Sequence, residues 1–167
     1  MKTSLILLSA ALLLGYAAPA QTKPATADQQ TLARQLNQLL RDPAKPKQDV
    51  LIALNGCHVQ QIIRDRDADV NLSNPLAVSF ASGKSGWAVS TDKGFFELKM
   101  DFEWADVTAV SYARSDDDDA KGFYEIQIRR QKKNSNTTSE LLLRTTDEAV
   151  VKNLVARLEK VRQGCGR

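Results

Sequence analysis

Between Gly56 and Arg144 the apolar residues of this chain recur at every second position; on either side they recur at every third or fourth. Side chains alternate across a strand but step by about 100° around a helix, so the change of period divides the chain into helix, sheet and helix. The clearest alternation is FFELKMDF. Phe96, Leu98, Met100 and Phe102 take one parity, and Phe95, Glu97, Lys99 and Asp101 the other. CHVQQIIRD, PLAVSFA, GWAVS, DVTAVSYA, GFYEIQIRR and SELLLRT also read as strands, with SGKSG and QKKNSNTT as polar turns. The pattern predicts an α+β domain. Its centre is a small antiparallel, curved sheet or partly open barrel of about six to seven strands.

The helical flanks carry their own punctuation. Thr26 with Gln29 forms a capping box for a helix over Asp28 to Arg41, whose Leu32, Leu36, Leu39 and Leu40 make one apolar face. Pro43 stops it, and DPAKPK is a stiff linker. QDVLIALNG reads as a short second helix closed by Gly56, although its β-branched residues also suit a strand. At the other end Val150, Val151, Leu154, Leu158 and Val161 mark a helix from Thr146 to Gln163. Thr145 and Glu148 supply its capping box, Asp147 adds negative charge at its positive end, and Gly164 ends it. This last helix is expected to cap the sheet.

The first twenty residues read as a secretory leader. Lys2 precedes the apolar run Leu5 to Ala18, and Ala18-Pro19-Ala20 offers small residues at a cleavage site before Gln21. The run is shorter than the roughly 20 residues of a spanning helix. No later run could span a membrane, so the mature chain is expected to be secreted or periplasmic and bacterial. The division is 1–20 leader, 21–47 N-terminal helix and Pro-rich linker, and 48–167 a single domain. Cleavage takes the count from 23 basic and 20 acidic side chains to 22 and 20, because Lys2 leaves. So even a balance predicts no nucleic-acid partner.

Export places Cys57 and Cys165 in an oxidising compartment, where an even count suggests pairing. The terminal apolar stripe continues to position 165, which would bring that sulfur to the helix's buried side. Two free thiols or bonds to other chains are the alternatives.

FEWADVTAV places an aromatic, a tryptophan, an aspartate and an aliphatic residue at Phe102, Trp104, Asp106 and Val107. Together with the order of elements, this resembles the pleckstrin-homology-like superfold and its GRAM relatives, over about Gly56 to Gln163. The resemblance implies a sheet capped by its last helix and recognition through loops and edges. Lipid-binding members often use a basic loop between their first two strands. Here that region reads RDRDADVN, mixed in charge, so phosphoinositide binding is not implied.

Catalytic and metal chemistry find little support. In SGKSG, the first glycine of a phosphate loop would fall at Val78, and a strand pattern follows where a helix should. Asp65, Asp67, Asp69 and Asn71 resemble half a calcium loop, but Val70 and Leu76 stand where Gly and Glu are needed. Asp116 to Asp119 read as a solvated run. His58 is the only histidine, and as Cys57's neighbour in a strand it would point to the opposite face. Trp87 and Trp104 read as core or half-buried groups. Asn71-Leu72-Ser73 and Asn136-Thr137-Thr138 fit the glycosylation pattern, which acts only in a eukaryotic secretory route. No cofactor or metal is expected.

Two surfaces are candidates for binding. Arg129, Arg130, Lys132 and Lys133 form a positive cluster suited to weak contact with an anionic surface, or to protecting an edge strand. The Leu32, Leu36, Leu39 and Leu40 face could serve a partner. The leading expectation is an exported, non-enzymatic binding module for an unknown protein or envelope component. A carrier or sensor of a small apolar or anionic lipid-like ligand is the alternative, with Phe96, Leu98 and Leu154 lining a pocket between sheet and terminal helix. A hydrolase using carboxylates alone ranks last, since no pair is marked by spacing.

Overall fold

The computed structural model describes residues 25–70, 74–115, 120, 122–132 and 135–166. Residues 1–20, read as a leader from the sequence, lie outside these, as do Asn71, the Asp116–Asp119 run and Lys133.

The elements run α1 (Ala27–Leu40), β1 (Gln48–Asn55), β2 (His58–Asp65), β3 (Leu76–Ser82), β4 (Ser85–Asp92) and β5 (Phe95–Glu103). A 3-10 turn at Trp104–Asp106 follows, then β6 (Val107–Arg114), β7 (Tyr124–Lys132), β8 (Ser135–Leu143) and α2 (Glu148–Cys165). Five strands form one sheet in the order β1-β2-β5-β4-β3, and three form a second in the order β6-β7-β8. All pairings are antiparallel, and the sheets do not close into a barrel. The α+β class and the capping terminal helix are as the periodicity implies.

One strand was not expected, and another starts earlier than expected. QDVLIALN is β1, not a helix. Gly56 adopts φ +63°, a left-handed turn that suits glycine, and β1 pairs with β2 from Gln48↔Asp65 to Asn55↔His58. Alternation then buries Ile52 and Leu54 on one side, so tertiary pairing overrides a helical reading of a short apolar run. The turn read at QKKNSNTT is also shorter than expected. Ser135 to Thr138 already belong to β8 and pair with Lys132 to Arg129. Their polarity marks an exposed strand end rather than a loop.

Trp104 carries the chain from one sheet to the other. It is 1% exposed, meets Phe102 edge-to-face with ring centroids 6.2 Å apart, and its backbone N–H donates to the Cys57 carbonyl at 2.8 Å. The core lies where the two sheets meet the helices. Ile52, Leu54, Val59 and Phe102 from the first sheet join Ile126, Ile128, Leu141 and Leu143 from the second.

Helix α1 starts where expected. The Thr26 hydroxyl accepts from the Gln29 N–H at 3.2 Å, and the Gln29 side chain accepts from the Thr26 N–H at 3.0 Å. Its apolar face is not available to a partner, because Leu32, Leu36 and Leu40 are buried in the protein's own core and Leu39 packs against it. Polar bonds fix the docking. Asn37 exchanges two hydrogen bonds with Ile52 at 2.7 and 3.0 Å, Gln29 Nε2 donates to the Gly56 carbonyl at 2.9 Å, and Arg144 pairs with Asp42 at 2.5 Å.

Helix α2 buries Val151, Leu154 and Leu158, while Val150 is exposed. Its N-cap is Asp147, not Thr145; the carboxylate accepts from the N–H groups of Ala149 and Val150 at 2.9 and 3.3 Å. Thr145 instead accepts from the Asp147 N–H at 3.1 Å, one step earlier in the turn. The helix runs through Gly164 to Cys165, where a disulfide joins it to Cys57 with a Cα–Cα distance of 5.5 Å. Three elements therefore converge on the β1–β2 turn: α1 through Gln29, the 3-10 turn through Trp104, and α2 through the bridge. Among the described residues, no helix is long and apolar enough to cross a membrane.

Candidate binding face

The registers of the five-stranded sheet line up three apolar rows on one face. Gln61, Met100, Trp87 and Phe80 are successive partners across β2, β5, β4 and β3. Val50, Ile63, Leu98, Val89 and Val78 form the next row, and Phe96, Thr91 and Leu76 the one after. Alternation puts Leu54, Val59 and Phe102 on the same side. One end of this face is therefore core, and the other end is bare. Leu76, Val78, Phe80 and Trp87 are 51%, 46%, 57% and 42% exposed. Isolated exposed apolar groups are ordinary, but four neighbours on one strand pair form a patch of the kind that marks a contact site.

The hairpin is held close by glycine. A Cβ at Gly86 would collide with the Phe80 carbonyl oxygen. Strand β3 is also a sheet edge, and Leu76 to Ser82 contains no charge and no proline, the usual protections of an exposed edge.

At its Ser82–Ser85 end the hairpin meets the second sheet across a groove of about 480 Å³. Phe80 and Phe102 supply its apolar wall; Arg130, Lys132, Asp106 and four hydroxyl residues supply its polar one. The Arg130 guanidinium lies 4.4 Å over the Phe102 ring and donates to Ser139 Oγ at 3.1 Å. Burial pulls its proton affinity below the ordinary arginine value, and the charge of Asp106 opposes that. Lys132 Nζ donates to the Ser82 carbonyl at 2.6 Å and ties the two sheets together.

The positive cluster is thus divided. Arg130 and Lys132 share a parity and face the groove, whereas Arg129 is exposed on the other parity. The residues expected to line a ligand pocket between sheet and terminal helix are not brought together: Leu154 borders a groove of about 490 Å³ between α1 and α2 with Leu39 and Val150. Leu154 is 2% exposed in the core, while Phe96 and Leu98 sit in the rows leading to the bare hairpin. α2 packs on β6, β7, the 3-10 turn and α1 instead. The hairpin face was missed in the sequence, yet the signal was legible: PLAVSFA alternates apolar with small residues and no polar side chain larger than serine.

The opposite face of the same sheet carries charge. His58 Nδ1 lies 3.0 Å from Glu103 and Nε2 3.2 Å from Asp101, so both ring nitrogens are occupied by carboxylates. Neither is left to activate a nucleophile, and Cys57 is bridged. Beside them Arg64 and Lys99 both pair with Glu97 at 2.5 and 2.7 Å. Hydrogen bonds from Lys99 and Arg64 hold the Glu97 carboxyl below the usual carboxylate range. No group of three or more His, Cys, Asp or Glu that could hold a metal occurs among the described residues.

No protein-family model matches this chain, and neither does any curated protein or solved structure.

Proposed function

We propose that this chain is an exported, non-enzymatic binding module that recognises its partner through the bare β3–β4 half of the five-stranded sheet. The observation that carries this reading is the exposure of Leu76, Val78, Phe80 and Trp87 on the face that elsewhere forms the core. Leaving such groups in water forgoes roughly 25 cal/mol for each Å² of apolar surface, a stabilisation that a bound partner recovers. The leader at residues 1–20 and the disulfide support a secreted or periplasmic, bacterial setting. The arrangement of His58 and the carboxylates argues against hydrolysis. The pleckstrin-homology-like resemblance of Phe102, Trp104, Asp106 and Val107 belongs to the same proposal, since that superfold commonly serves recognition.

The test is capture from envelope extract by the wild-type protein and by a Val78→Lys/Phe80→Lys variant of unchanged circular dichroism. A component retained by the wild type and lost from the variant is expected. Identical capture profiles would refute the reading.

A further inference from the structure

The reading of the bare sheet face leaves the cationic groove at its end unexplained. Resting on that reading, we propose that the groove holds the acid group of a small monoanionic amphiphile whose apolar body lies along Phe80, Trp87 and Val78.

The argument begins with Arg130. Its side chain is half-buried, with its guanidinium carbon 4.4 Å over the Phe102 ring, and its one described hydrogen bond goes to the neutral Ser139 hydroxyl. Its Nε is buried without a hydrogen-bond partner, and among the described ion pairs none includes Arg130. A cation taken partly out of water is destabilising unless an opposite charge compensates it. Asp106 lines the groove but bonds Ser85 at 3.3 Å, and it forms no described ion pair. An arriving anion supplies the direct ion pair that the described residues do not give Arg130. Guanidinium is suited to this role, because its planar fork matches an acid group's two oxygens.

The charge of the groove sets the charge of the ligand. Arg130 and Lys132 oppose Asp106, which leaves one net positive charge. That matches a monocarboxylate, whereas a dianionic phosphate would leave the groove with a net negative charge. Ser135 and Thr137 add hydroxyls that can donate to an acid oxygen. The volume of about 480 Å³ falls in the range of small-molecule sites. Phe80 belongs to both the groove and the bare face, so a chain leaving the acid group runs directly onto the row of Phe80 and Trp87 and then that of Val78 and Val89.

Tryptophan fluorescence reads the site, because Trp87 is exposed whereas Trp104 is 1% exposed and buried away from solvent. The protein is titrated with dodecanoate and with dodecanol, below their aggregation concentrations. Dodecanoate is expected to shift Trp87 emission to the blue and to bind about 10- to 100-fold more tightly, as for a charge-assisted hydrogen bond. Arg130→Gln should abolish that preference, and Lys132→Gln should reduce it less. The ligand comparison on wild-type protein needs no variant, so a misfolded Arg130→Gln leaves the test intact. Equal binding of the two probes would overturn the acid site and leave the apolar face standing. Binding of neither would overturn the acid site too, and envelope capture sensitive to Phe80→Lys would then decide the face separately. A dodecanoate preference that needs Arg130 but ignores Phe80→Lys would uphold the acid site and overturn the apolar-face reading.

Discussion

Removing the Cys57–Cys165 bridge tests how the fold is held. The two cysteines are 108 positions apart, so the closed loop contains every strand after β1 and the whole of α2. On the chain-entropy relation, cross-linking such a loop removes about 16 cal/mol/K from the unfolded chain, or about 5 kcal/mol at 25 °C. A domain of this size has a stability of roughly 5–15 kcal/mol, so the bridge supplies a third or more of it. At about 3–4 °C per kcal/mol, a Cys57→Ala/Cys165→Ala variant should melt roughly 15–20 °C lower. Differential scanning calorimetry of oxidised, reduced and doubly substituted protein measures this. Urea titration separates the cause. A constraint on the unfolded chain predicts a larger denaturant slope once the bridge is gone, because the released chain exposes more surface. The native contacts of the turn survive without sulfur, since Gln29 and Trp104 still hold Gly56 and Cys57 through their carbonyls. A melting point within about 3 °C of the oxidised protein, with an unchanged slope, would refute the entropic account.

Other substitutions probe single contacts. Leu36→Ala, at a fully buried position of α1, should lose about 2–5 kcal/mol by urea titration; a loss under about 1 kcal/mol would mean that the helix is not part of the core. Gly86→Ala must displace the Phe80 carbonyl and should lower stability by about 1–3 kcal/mol with a change in Trp87 emission, while an unchanged spectrum would argue against the close approach. Glu97, whose ordinary carboxyl value is 4.5, has its proton affinity lowered in the fold by Lys99 and Arg64. The unfolded chain therefore takes up the proton first as pH falls. The stability from Glu97 is complete above its unfolded value and is lost as pH drops through the folded one. Glu97→Gln should flatten that acid limb in melting curves, and an identical pH profile would count against the pairing.

The helix ends were legible to differing degrees. Thr26 and Gln29 are three residues apart in one chain segment, so their reciprocal bonds depend only on local geometry, and the box could be read directly. At the second helix two acceptors competed. Thr145 and Asp147 both suit a cap, and the chain's path out of β8 places the Asp147 carboxylate on the first free N–H groups. β1 shows the opposite limit. Eight residues with mixed periodicity do not choose between helix and strand until β2 offers its hydrogen bonds.

The candidate binding face was legible only in part. The pattern of β3 and β4 shows one apolar face, but no pattern tells whether another layer covers it. The cluster was visible as charge, and alternation separates Arg129 from Arg130 and Lys132, yet only the packing of the sheets decides that the latter pair faces the groove. Its conversion into a groove needed Ser82 and Phe80, some fifty positions away, brought to Lys132 by packing of the two sheets.

By itself the sequence settled the fold class, the capped first helix and the capping last one, because period, caps and turns act within a few residues. Tertiary structure alone decided that the leucines of α1 face inward, that the hairpin of β3 and β4 stays bare, and that Arg130 joins no ion pair among the described residues. Those outcomes depend on which surfaces meet across long stretches of chain, and burial is settled there by the shapes and registers of whole sheets rather than by any local preference.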